Sequence, residues 1–231
     1  MNEMLFTVST WAIPVLLAVT LHEAAHGYMA CLKGDDTARL LGRVTLNPLR
    51  HVDPFGTIIL PGLLMLSHAP FLLGWAKPVP VRFDRLRDPI RDMIWVALAG
   101  PGTNLALAIA SALLLHGVYI APESTQEWLG SNLINSLLIN LVLAVFNMIP
   151  VLPLDGGRVL AGLLPRALAI PYARTERFGM LILIGLVFLL PWVGDMIGMD
   201  LNILGVVIGE PVRFLYGTIL SLTGHDFGSA V

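Results

Sequence analysis

The chemically distinctive part of this chain is the stretch at residues 21–27, where two histidines and a glutamate interrupt an apolar run. On a helix, residues four apart share one face, so His22 and His26 can present two imidazoles to one metal ion. Glu23 then lies within reach of a water molecule beside that ion. A lone histidine is usually a hydrogen-bonded core residue, but three ionisable groups together in a membrane helix are rare and usually functional. The stretch therefore predicts a zinc site of the hydrolase type.

A hydrolytic zinc site needs three protein ligands and one open position, so one ligand remains to be identified. Asp155 is the best candidate, because Pro150 and Pro153 end the preceding helix and Gly156 and Gly157 permit a tight turn. A carboxylate at such a break can point into a polar cavity beside the two histidines. It can also simply cap a turn at the membrane surface. The remaining candidates for the third ligand are His51, His68, His116 and Glu210.

Hydrolysis of a peptide bond also needs a donor for the negative charge that develops on the carbonyl oxygen, and a side-chain amide suits that task. Asn147 is the main candidate, because it lies two turns before Asp155 on the same predicted helix. The weaker candidates are Asn47, Asn104 and Asn140. Among these, Asn104 is better explained as a hydrogen-bonding residue between helices.

The composition places the chain in a lipid bilayer. Of its 231 residues, 56% are hydrophobic and only 13% are charged, and the mean hydropathy of +0.78 lies outside the range of soluble domains. The net charge of -2 provides no basic field for nucleic acid, which we exclude as a partner. Cys31 is the only cysteine, which excludes an intrachain disulfide and a cysteine-based zinc site.

Long apolar runs predict membrane-spanning helices, because about 20 helical residues cross the hydrocarbon core. The strong runs cover residues 5–32, 93–119, 132–149 and 178–193. Weaker runs in the tail cover residues 201–208 and 212–222. We therefore predict an all-α polytopic membrane protein, with a single membrane-embedded domain at residues 1–231 and C-terminal helices at about 178–222.

Two segments between these runs have a different character. Residues 33–54 are polar, and the alternating pattern at residues 39–46 permits a short strand. Residues 55–73 are apolar but contain Pro61 and Pro70, and they pass into a segment at 74–81 whose alternating prolines suit an extended backbone.

Lysine and arginine in short loops indicate which loops are cytoplasmic. They are concentrated in residues 33–54, 82–92 and 158–177, whereas the N-terminus and residues 121–131 contain none. The segment between the first two basic loops must therefore be re-entrant or a short hairpin. The same count makes the helix with His22 and His26 and the helix before Asp155 both run from outside to inside, so their polar clusters reach the same cytoplasmic depth.

These residues resemble the site-2 protease family of intramembrane zinc metalloproteases. HEAAH at residues 22–26 matches the family's HExxH, NMIPVLPLDGGR at residues 147–158 matches its NxxPxxPLDGGR segment, and GPGTN at residues 100–104 matches its GPxxN patch. The likeness covers roughly residues 10–160 and is closest to compact prokaryotic members without an appended regulatory domain.

The resemblance implies a three-helix catalytic core at about residues 5–160, with one zinc ion per chain held by His22, His26 and Asp155. It implies that Glu23 is the general base and that Asn147 stabilises the oxyanion. It also implies cleavage of a membrane-spanning protein or peptide substrate within the bilayer, in regulated intramembrane proteolysis. We expect a multi-pass protein of the prokaryotic cytoplasmic membrane with its active site toward the cytoplasm.

Two further hypotheses concern how a substrate reaches this site. The possible strand at residues 39–46 could pair with an unwound substrate segment by strand addition, and residues 55–81 could form a gate or substrate path. Two other functions use the same residues: an ion or metal transporter, since ionisable groups in membranes also mark ion pathways, and a catalytically inactive scaffold. The intact Glu23 argues against the scaffold, and the sequence predicts no oligomeric state.

Overall fold

The computed structural model describes residues 3–59, 63 and 76–225, and within these ranges the regular structure is entirely helical. The α-helices are α1 (Glu3–Leu32), α2 (Thr37–Leu40), α3 (Pro89–Leu115), α4 (Glu123–Asn147), α5 (Asp155–Leu163), α6 (Arg166–Ala173), α7 (Glu176–Ile197) and α8 (Ile203–Leu222). Helix α7 contains one π-helical turn at Gly185–Leu189.

Among the described residues, five helices are long and apolar enough to cross a membrane: α1, α3, α4, α7 and α8. Their leucine, isoleucine and phenylalanine side chains are largely exposed on the outside of the bundle, as expected where the surrounding solvent is hydrocarbon. The protein is therefore an all-α, multi-pass membrane protein, and the predicted fold class is confirmed.

Helices α1, α3 and α4 pack against one another and form the expected three-helix arrangement. Alanines fill the closest contacts, since Ala18, Ala108 and Ala112 are all 0% exposed. Small side chains let helix backbones approach closely where no hydrophobic effect drives association. Helix α8 packs on α4 and α3 through an apolar cluster that includes Leu137, Leu141 and Ile219.

The strand predicted at residues 39–46 is wrong. The segment begins in the short helix α2 and then turns at Gly42, whose φ of +64° belongs to the left-handed region. The Asp35 carboxylate accepts the Thr37 amide at 3.0 Å and the Arg43 amide donates to the Ala38 carbonyl at 2.9 Å. These local bonds to the backbone outweigh the β propensity of the segment, so residues 39–46 form no strand to which a substrate segment could add.

Two boundaries also differ from the prediction. The loop predicted at residues 121–131 is shorter, because α4 already begins at Glu123, directly after Pro122. The two tail segments predicted on either side of Glu210 and Pro211 are one continuous helix, α8. A proline is tolerated inside a membrane helix because packing and neighbouring groups compensate for the lost hydrogen bond.

The re-entrant or hairpin prediction for residues 55–81 lies mostly outside the described residues. Within the described part, Pro54–Ile59 forms a π-helical turn, and residues 76–82 contain neither helix nor strand, as their prolines predicted. The single domain over residues 1–231, with a core at 5–160, stays a prediction.

Asp35 attaches this non-helical segment to the end of α1. Its side chain is 0% exposed, and its Oδ2 accepts the Arg82 amide at 2.6 Å while its Oδ1 accepts the Thr37 hydroxyl at 2.5 Å. Burial alone would raise the pKa of Asp35, but these hydrogen bonds to the carboxylate hold that pKa below its usual value. Farther along the segment, the Arg43 guanidinium donates to the Lys77 carbonyl at 2.6 Å.

Replacing Asp35 by Asn should lower the free energy of unfolding by about 1–3 kcal/mol, because an amide group then faces backbone donors. A carboxyl with a depressed pKa stabilises the fold fully above about pH 4, and that contribution disappears as the pH falls through the lower folded pKa. Unfolding curves in detergent at pH 7 and pH 3 should therefore differ less for Asp35→Asn than for the wild type.

The neighbouring substitution Asp36→Asn is the control, since Asp36 makes only an exposed ion pair with Arg39 at 3.1 Å. We expect its effect to stay within about 0.5 kcal/mol. Equal stability of Asp35→Asn and Asp36→Asn would contradict the role of Asp35.

Candidate metal centre

Helix α1 and the first turn of α5 bring the three predicted metal ligands together. His22 and His26 project from one face of α1, and Asp155 is the first residue of α5. A Cβ at Gly157 would lie 2.5 Å from the Leu152 nitrogen, so only glycine there lets the loop after α4 fold back against α5. The Gly156-Gly157 pair thus permits the tight turn that brings the Asp155 carboxylate toward α1.

The spacing of the three ligand atoms fits a single small cation. The two histidine Nε2 atoms are 3.0 Å apart, and each lies 3.3 Å from Asp155 Oδ2. Tetrahedral zinc bonds nitrogen and oxygen ligands at about 2.0–2.2 Å, which places neighbouring ligand atoms about 3.3–3.5 Å apart. The side chains are well enclosed, with His22 7%, His26 9% and Asp155 9% exposed.

The hydrogen bonds on the other side of each imidazole define what faces the centre. His26 Nδ1 donates to the Val96 carbonyl at 2.7 Å, and His22 Nδ1 donates to the Asn104 side-chain oxygen at 2.5 Å. In the neutral rings both Nε2 atoms therefore carry lone pairs, which point at each other and at Asp155 Oδ2. That oxygen is buried without a hydrogen bond of good geometry. Three converging acceptors of this kind fit a bound cation, and imidazole and carboxylate suit zinc.

The Asp155 carboxylate has the charge that a metal ligand needs. Burial would raise the pKa of Asp155, but hydrogen bonds and charge from His22 and His26 in their protonated forms outweigh burial and lower that pKa to about 2. Asp155 is thus ionised at neutral pH.

Helix α3 closes the centre with a residue that lacks a side chain. A Cβ at Gly100 would lie 2.5 Å from His22 Cε1 and 2.6 Å from His22 Nε2, and closer still to His26 Nε2. The backbone of α3 therefore forms one wall of the site at van der Waals distance. The small-residue patch at residues 100–104 thus has a second use besides helix packing.

Glu23 is adjacent to His22 on α1, but its carboxylate forms a hydrogen bond with the backbone of another segment. Its Oε2 accepts the Val79 amide at 2.8 Å, and the side chain is half-buried. Pro78 and Pro80 flank this amide and restrict the backbone that aims it at Glu23. The sequence predicted an extended segment here but not its contact with Glu23.

Within the described part of the chain, the Asn147 side chain makes no hydrogen bond to His22, His26 or Asp155. Its Nδ2 donates to the Leu143 carbonyl one turn earlier on α4 at 3.0 Å. Asn104 and Asn140 instead form hydrogen bonds beside His22, and Asn47 caps a 3-10 turn at Pro48–Arg50. The bond from His22 to Asn104 was missed, although Asn104 is four residues after Gly100 and so shares its helix face.

The other candidates for the third ligand lie elsewhere or outside the described residues. His51 Nε2 bonds the Thr45 carbonyl, His116 stacks on His225 with ring centroids 4.2 Å apart, and Glu210 pairs with Arg213. His68 falls outside the described residues. Within the described part of the chain, the one group of three or more metal-binding side chains is His22, His26 and Asp155.

Known proteins with similar sequences are metalloproteases by name. Residues 118–190, which include Asn147 and Asp155, match the model of peptidase family M50. The chain is 38% identical over 178 residues to "Putative zinc metalloprotease YwhC" of Bacillus subtilis, which covers 74% of this chain and 76% of that protein.

Other relatives carry similar names. "Putative zinc metalloprotease Rip2" of Mycolicibacterium smegmatis is 28% identical over 169 residues, covering 73% of this chain and 62% of its own length. "Putative zinc metalloprotease MJ0611" of Methanocaldococcus jannaschii is 46% identical over 65 residues, 28% of this chain and 31% of that protein. No solved structure matches the chain significantly.

Replacing Gly100 by Ala should weaken zinc binding at least about tenfold, because the new methyl group would occupy the space of both Nε2 atoms. Gly102→Ala is the matched control on the same helix, since a Cβ there meets nothing within 4 Å. Alanine favours the helix in both variants. Metal analysis of the purified proteins measures the effect, and equal zinc content in Gly100→Ala and Gly102→Ala would contradict the placement of the site.

Proposed function

This chain belongs to peptidase family M50 and is a zinc metalloprotease, and we propose that it cleaves membrane-spanning or membrane-proximal polypeptides within the bilayer. The family membership decides against the transporter and the inactive scaffold that the sequence left open. Cleavage inside the membrane, and its use in regulated intramembrane proteolysis, are the parts of the proposal that go beyond the family.

The depth of the cluster in α1 is the observation that carries the proposal. His22 lies ten residues before the end of α1 at Leu32, which corresponds to about 15 Å of helix. The hydrocarbon core of a bilayer is about 30 Å thick. If α1 spans the membrane, the hydrolytic groups lie below the lipid surface, where a soluble substrate would not reach them and an unwound membrane helix would.

We propose that His22, His26 and Asp155 hold one zinc ion per chain. When bound, zinc polarises the scissile carbonyl group and lowers the pKa of water to about 7. Glu23 takes the proton from the attacking water and gives it to the leaving amine, as a general base and then a general acid. The Val79 amide keeps the Glu23 carboxylate beside the ligands while this transfer takes place.

Asn147 remains our proposed donor to the oxyanion. One N–H group of its Nδ2 is occupied by the Leu143 carbonyl, which leaves the second N–H group for a substrate oxygen. We also propose that residues 55–81 line the substrate path, since residue 79 of this segment contacts the general base.

The proposed location is the prokaryotic cytoplasmic membrane, with the active site toward the cytoplasm. The C-terminal part of α1 and the start of α5 meet at the cluster, and the segments next to them, residues 33–54 and 158–177, are basic. Basic loops favour the cytoplasmic side. The proposed partners are a membrane-spanning protein or peptide substrate and the lipid bilayer.

Replacing Glu23 by Gln should leave zinc content unchanged and lower the cleavage rate about 10²- to 10⁴-fold, because the amide cannot accept the proton. The assay uses full-length protein in liposomes with a single-span substrate, and mass spectrometry of the products locates the cut. Glu127→Gln, on the exposed first turns of α4, is the control and should cleave at the wild-type rate. Cuts confined to residues outside the substrate's membrane span would contradict intramembrane action.

Cys31 provides a test of orientation, because it is the only cysteine and is half-buried near the end of α1. A membrane-impermeant maleimide should label it in inverted membrane vesicles and not in right-side-out vesicles. The double variant Cys31→Ser, Ser124→Cys moves the thiol to an exposed position at the start of α4 and should reverse the result. Labelling of Cys31 from the outside would place the active site on the opposite face.

A further inference from the structure

A buried series of hydrogen bonds, which we call the relay, leads from the Ser136 carbonyl through Asn140 and Asn104 to His22. Asn140 Nδ2 on α4 donates to the Ser136 carbonyl at 2.8 Å, and Asn140 Oδ1 accepts Asn104 Nδ2 from α3 at 2.7 Å. Asn104 Oδ1 accepts His22 Nδ1 of α1 at 2.5 Å. Asn104 is 0% and Asn140 1% exposed, so water does not compete for these bonds.

The Ser136 carbonyl determines which way the two asparagine amides of the relay point. The Ser136 carbonyl can only accept, so the amino group of Asn140 must face it and the oxygen of Asn140 must face α3. The amino group of Asn104 then faces that oxygen and also the Ala18 carbonyl at 3.4 Å. The oxygen of Asn104 is left to face His22, where it requires a hydrogen on Nδ1.

This direction determines which nitrogen of His22 is available as a ligand. With the hydrogen on Nδ1, Nε2 of the neutral ring carries a lone pair toward His26 and Asp155. If the Asn104 amide were reversed, its amino group would face Nδ1 and the hydrogen would move to Nε2, between the ligand atoms. His26 needs no such relay, because the Val96 carbonyl can only accept a hydrogen bond and so itself places the hydrogen on His26 Nδ1.

We propose that Asn104 and Asn140 are positioning residues that fix the tautomer of His22 and thereby the zinc affinity of the site. This inference rests on the proposed role of His22 as a zinc ligand. Asn140 never touches the ligands; it acts through the orientation of the Asn104 amide. Groups that orient a metal-binding histidine from its other nitrogen typically change metal affinity 10- to 100-fold.

A double-mutant cycle on the zinc dissociation constant tests the relay. Asn140→Leu removes the group that orients Asn104, so we expect about tenfold weaker zinc binding, measured by chelator competition on the full-length protein in detergent. Asn104→Asp puts an oxygen on both sides of position 104, so His22 Nδ1 has an acceptor whichever way the carboxyl group lies, and the protonated acid donates its O–H to Asn140 Oδ1. In that background Asn140→Leu should change the dissociation constant less than about twofold.

Two further variants separate the relay from helix packing. Asn140→Asp, neutral when buried, keeps an O–H for the Ser136 carbonyl and an oxygen for Asn104, so its zinc affinity should stay within about threefold of the wild type. Ser111→Ala removes a bond of 2.8 Å from Ser111 Oγ to Ser136 Oγ between the same two helices. Ser136 Oγ also accepts from Asn140 Nδ2 at 3.3 Å, but Ser111→Ala leaves the Ser136 carbonyl that orients the Asn140 amide unchanged, so zinc affinity should stay within about twofold of the wild type.

The outcomes distinguish the relay from the proposed function. The relay is supported if Asn140→Leu weakens zinc binding in the wild-type protein but not in the Asn104→Asp variant. An equal loss in both backgrounds, or an equal loss in Asn140→Asp and Asn140→Leu, overturns it, because a packing residue would behave in that way. His22→Ala should abolish tight zinc binding; if it binds zinc as the wild type does, the proposed ligand set is wrong and the relay is wrong with it.

Discussion

The structure depends on three electron-pair donors that face one another inside an apolar bundle. His22 Nε2, His26 Nε2 and Asp155 Oδ2 lie 3.0–3.3 Å apart, and in the neutral form of both rings all three atoms are acceptors. Such acceptors repel one another, and no solvent dipole can enter freely at their low exposure. The neighbouring elements make room for this arrangement and orient it. Helix α3 has no side chain at Gly100, and the loop after α4 turns at the paired glycines. Each imidazole makes a hydrogen bond through its Nδ1 atom.

Backbone groups carry out much of this work. The Val96 carbonyl orients His26, and the Val79 amide binds the Glu23 carboxylate. The Ser136 carbonyl orients the Asn140 amide at the start of the relay. Backbone atoms are suited to this task because their positions are fixed by the helices and, in residues 76–82, by the prolines. Asp35 and Arg43 attach that last segment to the end of α1, so a loop far along the chain reaches the helix that contains His22, Glu23 and His26.

Sequence patterns predicted the spanning helices and the proximity of His22 and His26, because hydropathy and a four-residue spacing on a helix are local signals. The same patterns failed where the outcome depended on local polar bonds, as at residues 39–46, or on tolerance of proline in lipid, as at Pro211 in α8. The relay through Asn104 and Asn140 could not be predicted, because it depends on the rotation of three helices about their axes. Which residues hold zinc, and whether Asn147 takes part, stay predictions.

The donor set has a consequence for the electrical balance of the bundle. Two neutral imidazoles contribute no charge, whereas Asp155 and Glu23 together contribute two negative charges when both are ionised. A divalent cation bound as we propose would balance both charges, whereas without it the two carboxylates would share a medium of low dielectric constant with only a proton on an imidazole to offset them. We therefore expect metal occupancy and folding stability to be coupled, so that removal of the ion lowers the stability of the bundle as well as the activity.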